Sequence, residues 1–139
     1  MTPWALVLAV AMTLEGEAGV LGAPGMHLVA DSMLARIESP EHPDRWEDVL
    51  AAYYGSAPPS APALAIAYRA VTRPWHSRGM PYAVSRDDAE RLGLRVDEWY
   101  CLSRIDRSGE REWCLGFARD WERGRSPELA ADRALDQGG

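Results

Sequence analysis

The chain has 139 residues, 47% of them hydrophobic, and a formal net charge of -6. That length supports one sizeable core and leaves little room for two separate domains, so residues 1–139 read as a single globular unit. All 15 basic residues are arginine, against 21 acidic ones; without a basic footprint the chain is not expected to bind nucleic acid.

In chain order, the good helix formers from Pro3 predict a helix that ends near Glu17 to Gly19. Its apolar start resembles the core of a signal peptide. No basic residue precedes it, however, and it runs directly into Glu15-Gly16-Glu17 without a small-residue spacer. It therefore reads as a buried first helix, too short to span a bilayer. After Gly19, Gly22 and Gly25 a second helix is expected from Pro24, with Met26, Val29, Met33 and Ile37 at helical spacing, stopped by Ser39-Pro40. Trp46 to Tyr54 forms a short amphipathic helix, the proline-rich segment Gly55 to Pro62 is a loop, and Ala63 to Thr72 is helical again.

The pattern changes beyond Gly79. Met80 to Val84 reads as a short strand, Ser85 caps a helix from Arg86 to Leu92, and Gly93 terminates it. Glu98 to Ile105 and Arg111 to Ala118 form the arms of a hairpin turning at Arg107-Ser108-Gly109. A last helix is expected from Ser126-Pro127-Glu128 to Leu135. The fold class is thus α+β, with a mainly helical first half and a small antiparallel β region in the second. Cys101 and Cys114 lie in the two hairpin arms, and their spacing leaves the register open. Two reduced core cysteines are expected in preference to a disulfide. His27, His42 and His76 lack metal-ligand spacing, so no metal is expected.

Composition and periodicity by themselves say no more than a small α+β domain. Gly16-Glu17-Ala18, Gly25, Met33-Leu34-Ala35-Arg36-Ile37, Ser39-Pro40, Pro43 and Val49-Leu50 follow one another at a spacing that points further. Over Gly16 to Leu50 the chain resembles the cell wall hydrolase family that includes spore-cortex lytic enzymes and related phage proteins. Gly79-Met80-Pro81-Tyr82-Ala83-Val84-Ser85 resembles a strand of the same family. The chain departs from the family pattern at Gly19-Val20-Leu21 and around Ala52-Tyr53-Tyr54-Gly55-Ser56.

The resemblance implies a lysozyme-like fold and cleavage of peptidoglycan between N-acetylmuramic acid and N-acetylglucosamine. It places the catalytic glutamate on Glu17. A carboxyl in partly apolar surroundings can protonate a leaving glycosidic oxygen near neutral pH. The matched motifs assign no second carboxylate, leaving Asp31 and Asp120 as residual candidates. Tyr53 and Tyr54 are candidate walls of a sugar groove, one of them otherwise core. Trp75 is the best candidate for stacking on a sugar face, Tyr82 belongs to the matched strand, and Ser85 either reaches the cleft or only caps its helix. No cofactor is expected. The expected partner is the peptidoglycan glycan strand, reached without membrane insertion from a virion or with the help of a holin. The alternative is a noncatalytic wall-binding or virion structural protein that retains the fold.

Overall fold

A computed structural model describes residues 1–122. The helix expected from Ser126 to Leu135 lies outside them. Helix α1 spans Pro3–Ala18 and begins where Thr2 Oγ1 accepts the Ala5 N–H, with Pro3 at the first helical position. A single turn of 3-10 helix, Gly19–Leu21, leads into α2, Gly22–Glu38. Gly22 has φ 71, a conformation open chiefly to glycine. The start at Gly22 puts Pro24 within the first turn, where helix N–H groups have no partner to lose.

Helix α3 is short, Trp46–Leu50, and α4 runs Ala61–Thr72 under a Ser60 cap. Strand β1 is Tyr82–Ser85, α5 is Arg86–Leu92, and β2 and β3 are Glu98–Asp106 and Gly109–Ala118. The three strands form one antiparallel sheet in the order β1-β3-β2. The architecture is therefore α+β, with a helical first half and a small sheet in the second.

One core joins the two halves. Val7, Val10 and Leu14 of α1 pack with Met26, Val29 and Met33 of α2, and the far end of β3 enters the same cluster through Leu115 and the fully buried Phe117. Burying a side chain of this size contributes about 1.5–3 kcal/mol. Helix α1 carries Trp4 and Leu8 on its outer side, exposed. By length and composition alone the helical run Pro3–Glu38 is apolar enough to cross a membrane; here its inner faces pack on each other, on α4 and on β3.

The hairpin corrects the cysteine expectation. Its turn has two residues, Arg107 and Ser108, between the paired Asp106 and Gly109. The Asp106 carboxylate accepts both the Ser108 N–H and hydroxyl, which hold its pKa below the usual range. Stepping back equally along both arms from that pair brings Cys101 directly opposite Cys114, with Cα atoms 4.1 Å apart, and the two form a disulfide. The bond lies at the sheet surface and not in the core, beside the Arg86 guanidinium at the start of α5.

Candidate functional site

The end of α1 is clasped by the loop that follows α3. Glu17 Oε1 accepts the Tyr54 N–H at 2.9 Å and the Gly55 N–H at 2.7 Å. Glu15, facing elsewhere on the same turn, accepts the Ser60 N–H at 2.9 Å. Between these two anchors Gly16 and Gly55 touch backbone to backbone, and a Cβ on Gly55 would lie 2.6 Å from the Gly16 carbonyl carbon. Only a pair of glycines permits that approach.

This clasp forms one edge of a cleft of about 470 Å³, within the roughly 300–1,000 Å³ of small-molecule sites. Glu17, Tyr53 and Tyr54 line it on the helical side, and Ser85 and Trp121 on the side of the sheet. Four of the sequence-predicted residues, Glu17, Tyr53, Tyr54 and Ser85, thus come together. Tyr54 is almost fully exposed, whereas the Tyr53 ring packs against the core. Tyr53 combines the two roles, wall and core. Ser85 also combines two: it lines the cleft and its Oγ accepts the Asp88 N–H at the start of α5.

The other candidates fall elsewhere. Tyr82 stands beside the cleft, against Arg36 and 5.4 Å from the Trp121 ring, without lining it. Trp75 is not on the cleft wall: its ring stacks on His27 at 4.6 Å and its Nε1–H donates to Asp31 Oδ1 at 2.9 Å. Asp31 is buried and structural, accepting from Arg78 as well as from Trp75, and Arg78 in turn binds Glu98 at the start of β2. Asp120 lines a separate pocket with Glu38, Glu41 and Arg119. Neither aspartate shares the cleft with Glu17.

Trp121 and Arg36 stand out among the cleft-wall residues that are not sequence candidates. Trp121 follows the last strand and closes the sheet side. Arg36 projects from the last turn of α2, its Nε donating to the Pro81 carbonyl at 2.7 Å and its guanidinium lying 5.2 Å from the Tyr82 ring centre and 5.7 Å from that of Tyr53. Its sequence signal was a cation interrupting the apolar run Met33 to Ile37. Burial pushes the Tyr53 phenol upward, against a smaller opposing effect of Arg36. The Tyr53 and Ser32 hydroxyls are both buried without a well-formed hydrogen bond among the described residues.

The charges of the cleft are unevenly matched. Arg91 pairs with Asp88 at 3.2 Å, and Glu17 is held by two backbone N–H groups. Cys101, Glu112 and Cys114 converge on the outer hairpin, but the disulfide occupies both sulfurs and leaves no thiolate for a metal. No protein-family model, curated protein or solved structure matches this chain.

Proposed function

We propose that this is a lysozyme-like enzyme that cleaves peptidoglycan glycan strands between N-acetylmuramic acid and N-acetylglucosamine, with Glu17 as general acid and then base. The observation that carries the reading is the placement of Glu17. The glutamate picked out by the motif resemblance lines an open cleft, fixed through Oε1, while Oε2 makes no hydrogen bond to a described residue.

In this mechanism the protonated Glu17 carboxyl gives its proton to the leaving oxygen as the glycosidic C1–O bond breaks. The resulting carboxylate then removes the proton of the muramoyl 6-hydroxyl, whose oxygen bonds to C1 and closes an anhydro ring. Glu17 ends protonated, ready for another turn. Water in place of that hydroxyl gives a lysozyme product. Among the described residues the other carboxylate lining the cleft is Asp88, engaged by Arg91, which favours the intramolecular route. Tyr53 and Tyr54 flank the sugars, and the reaction requires no cofactor. The Cys101–Cys114 disulfide suits work at the cell wall, outside a reducing cytosol, after delivery from a virion or through a holin.

One observation favours the alternative of a noncatalytic wall-binding or virion protein. The double N–H clasp gives Glu17 a structural task independent of chemistry. Mass spectrometry of muropeptides released from purified peptidoglycan by the wild type and by Glu17→Gln separates the readings. Anhydromuramoyl products that vanish in the variant support the transglycosylase, and reducing-end muramoyl products with the same dependence support a lysozyme. No soluble product from folded wild type on several wall types overturns the enzyme reading.

A further inference from the structure

Of the charged cleft residues that the proposed reaction does not use, Asp88 and Arg91 pair with each other, and Arg36 has no such partner among the described residues. Among the described residues no carboxylate comes within ion-pair distance of it, whereas Arg91, the other cleft arginine, has Asp88. Nor is it a free surface cation. It is partly buried, its Nε is committed to Pro81, and two tyrosine rings restrict its plane. Holding a guanidinium this way sacrifices solvation and side-chain entropy for an oriented fork of N–H donors, a geometry suited to a carboxylate.

We propose that Arg36 anchors the free lactyl carboxylate of a muramic acid without its stem peptide, and so selects peptide-free stretches of the strand over peptide-bearing muramic acid and neutral amino sugars. This inference rests on the reading of the cleft as a peptidoglycan site and adds its sugar specificity. The two sugars of the strand share a ring and an N-acetyl group; the lactyl carboxyl of muramic acid is an amide where a stem peptide is attached and a carboxylate where the peptide has been removed. On a peptide-free stretch, a cation fixed in the same cleft as Glu17 gives the strand a register, because only one of two alternating sugars can satisfy it. Without such an anchor the strand could slide by one sugar and present the wrong bond to Glu17. Arg36 is in this sense a positioning residue, acting on the sugar bearing the lactyl group while Glu17 acts on the bond.

The test is binding of an alternating N-acetylglucosamine–N-acetylmuramic acid tetrasaccharide with free lactyl carboxylates, compared with its methyl ester and with the neutral N-acetylglucosamine tetramer. Titration calorimetry on Glu17→Gln prevents turnover. The acid should bind about tenfold or more tightly than the ester, as one charge-assisted hydrogen-bonding pair implies, and Arg36→Gln should remove the difference while leaving ester binding in place. If Arg36→Gln does not fold, the Nε–H resonance of Arg36 in the parent protein replaces it, shifting with the acid and not with the ester. Equal binding of acid and ester, a preference that survives in folded Arg36→Gln, or an Nε–H signal indifferent to the acid would overturn the anchor and leave the enzyme reading intact. No binding of any of the three sugars by folded protein would overturn both.

Discussion

Gly16 of α1 and Gly55 of the following loop meet backbone to backbone, and that contact determines where Glu17 sits. A Cβ on Gly55 would lie 2.8 Å from the Glu17 nitrogen, and one on Gly16 would collide with the backbone of Ser56. Either alanine must therefore push the loop off the helix and pull the Tyr54 and Gly55 N–H groups away from the carboxylate. Gly16→Ala and Gly55→Ala should each cost about 1–3 kcal/mol, as overpacking does, and lower Tm by roughly 3–10 °C. Thermal denaturation followed by circular dichroism measures this, and an unchanged Tm would mean that the contact is not tight.

Glu17→Gln and Glu17→Ala should separate chemistry from structure. Glutamine retains an oxygen that accepts the two N–H groups but has no proton to cycle, so cleavage should fall about 10²–10⁴-fold with little change in stability. Alanine removes the acceptor and leaves the partly buried Gly55 N–H without its partner, at about 1–3 kcal/mol. Glycan cleavage and denaturant unfolding, measured side by side on both variants, test the separation. A glutamine variant that keeps full activity would remove Glu17 from the mechanism.

The elements themselves were largely legible, because each carried a local signal. Ser85 and Gly93 bound α5 at the residues expected, since an N-cap hydroxyl and a left-handed glycine act on their immediate neighbours. The loop clasp was not legible. Gly16 and Gly55 are far apart in sequence, and neither interrupts a periodic pattern in a way that names its partner. Trp75 has the residue type and loop setting of a sugar-stacking ring, but a buried carboxylate on another element, Asp31, takes its indole N–H. Arg36 stands inside a motif with no local sign of a site role, because its tyrosine and carbonyl partners come from two distant segments.

The disulfide was missed because one turn residue sets the pairing of every residue in the hairpin. Asp106 binds Ser108 and closes a two-residue turn, and Cys101 meets Cys114 as a result. Since the bridge closes a segment with a sequence separation of 13, replacing both cysteines by serine should cost roughly 2–3 kcal/mol. Urea unfolding of the double variant measures that loss, and alkylation before and after reduction counts the thiols. Thiols that alkylate freely in unreduced protein isolated under oxidising conditions would contradict the bridge.

Asp31 offers a test of a structural acid against a catalytic one. It is buried and accepts from Trp75 Nε1 and from the Arg78 backbone and guanidinium. Asp31→Ala leaves the Trp75 Nε1–H and the Arg78 backbone N–H without their acceptor, a loss of about 1–3 kcal/mol, while the Arg78 guanidinium keeps Glu98. Asp31→Asn should cost less, since its amide oxygen still accepts from Trp75. At a temperature where the asparagine variant is fully folded, glycan cleavage should match the wild type. A large fall in its kcat without loss of stability would make Asp31 part of the chemistry.

His42 provides a pH-dependent check on the Arg36 environment. Its pKa lies below the ordinary 6.5, first through desolvation and then through the positive charge of Arg36, with Glu41 opposing both. The folded protein therefore binds this proton less readily than the unfolded chain. The associated stability is fully present above pH 6.5 and is lost as pH falls through the lower folded value. Nuclear magnetic resonance titration of the His42 ring should give a midpoint below 6.5. Arg36→Gln should move that midpoint up and Glu41→Gln should move it further down. A midpoint indifferent to Arg36 would mean that the guanidinium is displaced or screened from His42, and would also undercut the fixed cation on which carboxylate selection depends.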